Sequence, residues 1–145
     1  MKIEIKELVS FTEEQLEVIN SLLQVLTENT PLLTYDALSE IISANNTYVF
    51  IAEYNEKIIG MLTLVTYRIP SGAKAWIEDV AVDKTYHGKG IGRSLTEHAI
   101  SHAKSLNIRK IDLTSSPDRV AANILYQKIG FLKRETNYYR LSRLQ

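Results

Sequence analysis

The chain predicts a mixed α/β fold, and three observations in its 145 residues carry that prediction. Segments rich in β-branched and aromatic residues are interleaved with segments whose apolar residues recur at helical spacing. Residues 75–114 read as strand, helix, strand. Such a βαβ unit implies two parallel neighbours in one sheet and a right-handed crossover. No internal repeat, low-complexity tract or long linker divides the chain, so a single domain over 1–145 is expected.

Each element has a local cause. Ile3 and Ile5 alternate with Glu4 and Lys6, which suggests a first strand at 2–8. Thr12-Glu13-Glu14-Gln15 is a capping box, in which Thr12 caps the Gln15 amide and Gln15 reaches back. Leu16, Ile19, Leu23 and Leu26 follow at helical spacing and extend an amphipathic helix over 13–28. Thr34 is placed to cap a second helix at about 35–44. Thr47–Glu53 and Lys57–Thr66 form a hairpin through the turn Tyr54-Asn55-Glu56. Arg68–Gly72 reads as a loop broken by Pro70 and Gly72, and Ala75–Val82 as a strong strand. Gly90–Leu106 reads as a long helix and Ile108–Thr114 as a buried strand. Ser116 followed by Pro117 signals a cap and first turn for a helix at 117–129, which Gly130 ends. Phe131–Arg134 and Tyr138–Leu141 are expected to close the sheet as a last hairpin.

The totals exclude several function classes. A hydrophobic fraction of 45% is ordinary for a globular protein. The absence of cysteine removes disulfides, Cys-ligated zinc and a Cys nucleophile. The N-terminal MKIEIKELVSF has no apolar run suited to a signal peptide. No stretch approaches the roughly 20 apolar residues of a membrane span, so a cytoplasmic protein without a membrane partner is expected. The sequon Asn45-Asn46-Thr47 then carries little meaning. Net charge is zero, which argues against a dedicated nucleic-acid binder. That zero hides an asymmetry. Residues 1–82 hold 5 basic and 12 acidic side chains, a balance of −7, and residues 83–145 hold 12 and 5, a balance of +7.

Three of the six glycines, Gly88, Gly90 and Gly92, lie within five residues, after a strand and at the opening of a helix. A turn of this kind exposes several backbone amides in one direction, and the positive helix end favours an anion. Lys89 and Arg93 add charge beside it. The spacing matches neither Walker A nor the Rossmann fingerprint, whose last glycine would fall on Arg93. It resembles the pyrophosphate loop of the GNAT superfamily of acyl-CoA-dependent N-acyltransferases. That pattern is Arg/Gln-x-x-Gly-x-Gly/Ala; His87 stands first here, with Gly90 and Gly92 as the glycines. Trp76–Val82 is similar to the family's central strand. Ala121–Phe131 is similar to its second signature, a helix with Asn and Tyr ending in Gly-Phe. The element order also fits from residue 3 to about 141.

This resemblance implies an α+β mixed sheet, mostly antiparallel, splayed at a central parallel pair and flanked by helices. It implies an N-acetyltransferase that moves an acetyl group from acetyl-CoA, its cosubstrate, to a primary amine by direct attack in a ternary complex. No metal is implied. Backbone groups of Val80, Ala81 and Val82 would pair with the pantetheine arm. The amides of His87, Gly88, Lys89, Gly90, Ile91, Gly92 and Arg93 would take the pyrophosphate, with Ser94 a further candidate. Asn123 would hydrogen-bond the pantetheine arm, and Tyr126, on the same helix face, would protonate the leaving thiolate. A backbone amide near Val80 is the expected oxyanion donor.

The base is less determined. Glu78 and Asp79 interrupt an apolar strand, and a carboxylate there needs a reason. Glu78, acting directly or through water, is the candidate base; a structural or substrate-orienting role is the alternative. Adjacent strand residues point to opposite faces, although a bulge would change which one faces the site. His98 and His102 share a helix face, but no third metal ligand is apparent, so packing is expected. Trp76 is assigned to the core, Tyr138-Tyr139 either to an acceptor pocket or to cross-strand packing, and Arg119 to cofactor or solvent. The acceptor is a small-molecule or protein amine. Exposed sheet edges leave a homodimer open. Two rival functions remain: a non-catalytic CoA-binding sensor on the same fold, and an unrelated nucleotide-phosphate binder.

His87 replaces the usual Arg or Gln and carries a full charge only at lower pH. Acetyl-CoA affinity is therefore expected to rise as pH falls. Dissociation constants measured across pH for the wild type and His87→Gln check this, and the variant should lose the dependence.

Overall fold

The structure is a computed structural model that describes residues 1–27 and 31–142. Local chemistry sets its first elements. The Gln15 amide donates to Thr12 Oγ1 at 3.1 Å and the Thr12 amide to Gln15 Oε1 at 2.9 Å. This capping box opens α1 (Glu13–Leu26). Thr34 Oγ1 accepts from the Ala37 amide at 3.2 Å and opens α2 (Tyr35–Ser43). Asn20 fixes the connection between them. Its Nδ2 donates to the Leu33 carbonyl at 3.0 Å and its Oδ1 accepts from the Leu33 amide at 2.8 Å.

The remaining elements are β1 (Glu4–Glu7), β2 (Thr47–Tyr54), β3 (Lys57–Ile69), β4 (Gly72–Val82), a 3₁₀ turn (Lys84–Tyr86), α3 (Ile91–Ser105), β5 (Lys110–Asp112) and α4 (Val120–Ile129). The strands form one sheet in the order β1-β2-β3-β4-β5. Neighbours are antiparallel up to β4, and β4 and β5 are parallel. The mixed sheet expected from the βαβ unit is therefore present. The chain forms two compact units, Met1–Thr114 and Ser115–Gln145. Among the described residues no helix is long and apolar enough to cross a membrane.

Within Met1–Thr114 the sheet is covered on both faces, so β2 and β3 read as continuous apolar runs rather than alternating ones. Val49, Ile51, Met61 and Ala81 share one face and one core cluster with Leu16, Ile19 and Leu22 of α1 and Leu38 of α2. On the other face a Cβ added at Gly60 would lie 3.2 Å from both Ile91 and Leu95 of α3. The absence of a side chain there admits the helix.

The two histidines of α3 pack beneath β2. His98 meets the Phe50 ring at 4.8 Å, edge to face, and His102 meets Tyr48 at 4.4 Å and Phe50 at 5.4 Å. Trp76 is half-buried, and its indole N–H donates to the Tyr67 hydroxyl at 3.0 Å.

Several boundaries move. Strand β3 runs on to Ile69 and β4 starts at Gly72, so the expected loop at 68–72 shrinks to Pro70-Ser71. The first helix ends at Leu26, and residue 28 lies outside the described residues. Strand β5 covers three residues rather than 108–114, because the Ile108 amide closes α3 on the Ala103 carbonyl. Helix α4 starts at Val120, not at 117. The Ser116 hydroxyl bonds the Asp118 carboxylate instead of a helix amide. The Arg119 amide bonds the Ser116 carbonyl at 3.0 Å, which makes Pro117 the second residue of a turn.

The last hairpin is absent: Phe131–Arg134 and Tyr138–Leu141 form no strand. Leu132, Tyr138, Tyr139 and Leu141 are all exposed, and Lys133, Arg134, Glu135 and Arg140 break any alternation that could build a buried face. Tyr138 and Tyr139 therefore have no cross-strand packing.

His98 generates a pH prediction. Burial, reinforced by the neighbouring His102, lowers its pKa below the ordinary value of about 6.5. The unfolded chain thus takes up a proton at a pH where the folded chain does not. Stability is full above the unfolded value and falls as pH drops through it, levelling below the folded value. Urea unfolding between pH 8 and 5 should show this slope, and His98→Gln should flatten it.

Candidate active site

The site in Met1–Thr114 is built on β4. Thr63 pairs with Glu78 and Met61 with Ala81, so one β3 residue, Leu62, faces two on β4, Asp79 and Val80. This is a β-bulge, and Asp79 within it takes a left-handed φ of 50°. Thr63 and Met61 lie on one face of β3, so Glu78 and Ala81 share that face three residues apart. The simple alternation expected for Glu78 and Asp79 is broken there, and both side chains are exposed. Partial desolvation still raises the Asp79 pKa above the ordinary carboxylate value.

Before the bulge β4 has already lost a neighbour. Its pairing with β5 covers only Lys74–Trp76 against Lys110–Asp112. The Asp83 amide donates to the Ile59 carbonyl at 2.8 Å, toward β3. Polar groups alternate along a strand, so those of Val82 point to the other, unladdered edge. There His87 Nε2 lies 2.9 Å from the Val82 carbonyl, which takes a proton from the ring. The His87 amide is also engaged, donating to the Lys84 carbonyl at 3.3 Å. The anion contact expected of His87 thus has only its Nδ1 available. The turn before it is fixed by Asp83, whose Oδ1 accepts from the Thr85 amide at 2.9 Å. Neither contact was anticipated; Asp83-Lys84-Thr85 is the short-range signal that marks the second.

The glycine loop ends in a free helix N-terminus. The first amide returned to the helix is that of Ser94, which donates to the Gly90 carbonyl at 3.0 Å. Among the described residues the amides of Gly88, Lys89, Gly90, Ile91, Gly92 and Arg93 have no acceptor. Gly88 and Gly90 have φ of 77° and 78°, and a Cβ at either would meet nothing within 4 Å. The backbone is bare on that side. Ile91 is buried and anchors the loop. Lys89 is exposed, while Arg93 Nε contacts Glu97 Oε1 at 3.3 Å on the helix surface. The array can hold an anion by several amides at once.

The second unit holds the other candidates. Asn123 Nδ2 donates to the Ser116 carbonyl at 3.0 Å, which leaves Oδ1 without a partner among the described residues. Tyr126 is 6% exposed, and its ring meets Phe131 edge-on at 5.9 Å. No hydrogen bond to its hydroxyl is present among the described residues. Burial raises the phenol above its ordinary pKa near 10, against the smaller opposing charge of Arg119. Arg119 itself is exposed at the start of α4.

This combination of sheet, bulge and amide-rich loop defines a class. The family model of the acetyltransferase (GNAT) family matches residues 15–131, and the chain belongs to that family. It is similar to the crystal structure of a transcriptional regulator from Bacillus halodurans C-125, at 28% identity and a TM-score of 0.81, covering 97% of this chain and 100% of that one. AAC(6')-Iy, in complex with the bisubstrate analog CoA-S-monomethyl-acetylneamine, shares the fold at 18% identity and a TM-score of 0.80 over 99% of each chain. The [ribosomal protein bS18]-alanine N-acetyltransferase of Escherichia coli (strain K12) is 32% identical over 68 residues, 46% of each chain. The chain spans between 18% and 63% of the length of the curated relatives it matches.

Gly90 offers a stability test. Alanine at its φ of 78° suffers left-handed strain without any steric clash. Gly90→Ala should lose about 1 kcal/mol in chemical denaturation, with an unchanged far-UV spectrum.

Proposed function

We propose that residues 1–145 form a single N-acetyltransferase domain that moves an acetyl group from acetyl-CoA to a primary amine by direct attack in a ternary complex. The observation that carries this is the run of acceptor-free amides from Gly88 to Arg93 at the N-terminus of α3. Open space around Gly88 and Gly90 lets an anion approach those amides, so the loop suits a pyrophosphate. Lys89 strengthens the attraction. The unladdered edge of β4 offers backbone groups of Val80 and Val82 to an extended amide-bearing arm, while those of Ala81, expected to join them, point toward β3. Ser94, just inside α3, is a further contact for the pyrophosphate, and Asn123 for the arm.

When bound, acetyl-CoA supplies a thioester carbonyl open to attack by an amine. The chain's own residues handle the protons. Tyr126 keeps its proton at neutral pH because burial raises its pKa, and it donates that proton to the departing sulfur. Glu78 accepts the proton of the amine, directly or through water; Asp79, beside it, has the raised pKa that suits a base. The two carboxylates also attract a cationic amine before it is deprotonated. The Val80 amide, within the bulge, is the donor for the developing oxyanion. The acceptor is a small-molecule or protein amine, the location cytoplasmic, and the active form a monomer or homodimer.

A panel of amines assayed for free CoA release tests the activity, and titration with acetyl-CoA against ATP tests the cosubstrate. With the best amine, Tyr126→Phe should lower kcat by about 10²–10⁴-fold while acetyl-CoA affinity is retained. An unchanged turnover rate would remove Tyr126 from the acid role.

A further inference from the structure

Strand β4 runs 11 residues from Gly72 to Val82. At about 3.3 Å per residue its first residues lie about 30 Å from its glycine-loop end. At that far end Ser71, Gly72 and Lys74 meet Asn107, Arg109 and Lys110 around a cavity of about 310 Å³. This is the lower end of the size range of small-molecule sites, about 300–1,000 Å³.

The chemistry of the lining is one-sided. Lys74 and Lys110 are register partners in the parallel pair, so the two ammonium-bearing residues sit side by side on one face of the sheet. Like charges so placed repel. Arg109 adds a third cation, and no carboxylate lines the cavity. Among the described residues none of the three makes an ion pair. The Ser71 hydroxyl and the Asn107 amide group likewise have no hydrogen-bond partner there. Gly72, at φ 139° with nothing within 4 Å of a Cβ position, leaves the backbone bare. The amides of Leu106, Asn107 and Ile108 bond the last carbonyls of α3, so that helix end presents few free acceptors to oppose an anion.

We propose that this cavity binds a small phosphorylated anion, held by Lys74, Arg109 and Lys110 with Ser71 and Asn107 as neutral donors. A multiply charged phosphate relieves the Lys74–Lys110 repulsion and fits the planar fork of Arg109. The concave shape and the zero net charge of the chain favour a small molecule over a nucleic-acid backbone, which needs an extended basic track.

The test is titration of the full chain with sodium pyrophosphate at constant ionic strength, followed by amide NMR and calorimetry. Saturable shifts are expected at the Gly72 and Asn107 amides. A combined Arg109→Ser, Lys110→Ser variant, checked for folding by circular dichroism, should weaken that binding by about tenfold or more, and leave shifts at Gly88–Gly92 unchanged. If the double variant fails to fold, Lys74→Gln should give a weaker loss at the same two amides. The proposal is overturned by shifts confined to the glycine loop, or by an equal response to chloride. A short single-stranded oligonucleotide that binds these amides more tightly than pyrophosphate also overturns it, by assigning the surface to nucleic acid.

Discussion

Strand β4 has a ladder along β3 on one side and only three residues of ladder on the other. Backbone polar groups need partners, so the unladdered edge from Ile77 to Val82 has to find them elsewhere. One is found within the chain, where His87 returns to the Val82 carbonyl. The bulge at Asp79 falls in the same stretch, with β3 as its only strand neighbour among the described residues. The strand thus spends its first half as ordinary sheet and its second half as a one-sided edge leading straight into the amide-rich loop. Bulge, exposed carboxylates and the approach to the loop all lie in the stretch that β5 leaves unpaired.

How much of this was legible depended on range. Thr12 with Gln15, Thr34, and Gly90 at the start of α3 act within one helical turn, and their roles were readable from spacing alone. The glycine loop belongs to the same group, because its free amides follow from three glycines at the opening of a helix. The end of the chain was misread where local signals compete. Ser116-Pro117 has the pattern of a cap, but Asp118 captures the hydroxyl and makes a turn instead. Tyr138 and Tyr139 have strand propensity but no face to bury. The site of the bulge and the His87–Val82 contact were not readable in detail, because both depend on how β4 registers against β3 and on where the chain returns.

The opposed charges of the two sequence halves do not become two opposed surfaces. Lys74 belongs to the acidic half, yet it stands beside Lys110 and Arg109 of the basic half across the parallel pair. Glu78 and Asp79 end the acidic half only a few residues before Lys84 opens the basic one. The sheet interleaves the halves, so positive charge is found at both ends of β4 and negative charge between them.

Gly60 lies about thirty residues before the loop and meets no proposed ligand, yet it sets the loop's height. Its missing side chain is the gap into which Ile91 and Leu95 settle, and Ile91, between Gly90 and Gly92, is the residue that begins α3. A methyl group at Gly60 would lie 3.2 Å from Ile91 Cγ2 and Leu95 Cδ1 and 3.3 Å from the Ala81 carbonyl oxygen, so α3 and the sheet would have to give way by a few tenths of an ångström there. The stand-off between helix and sheet therefore bears on the anion cradle through Ile91, which packs over Gly60 and carries one of the cradle's amides.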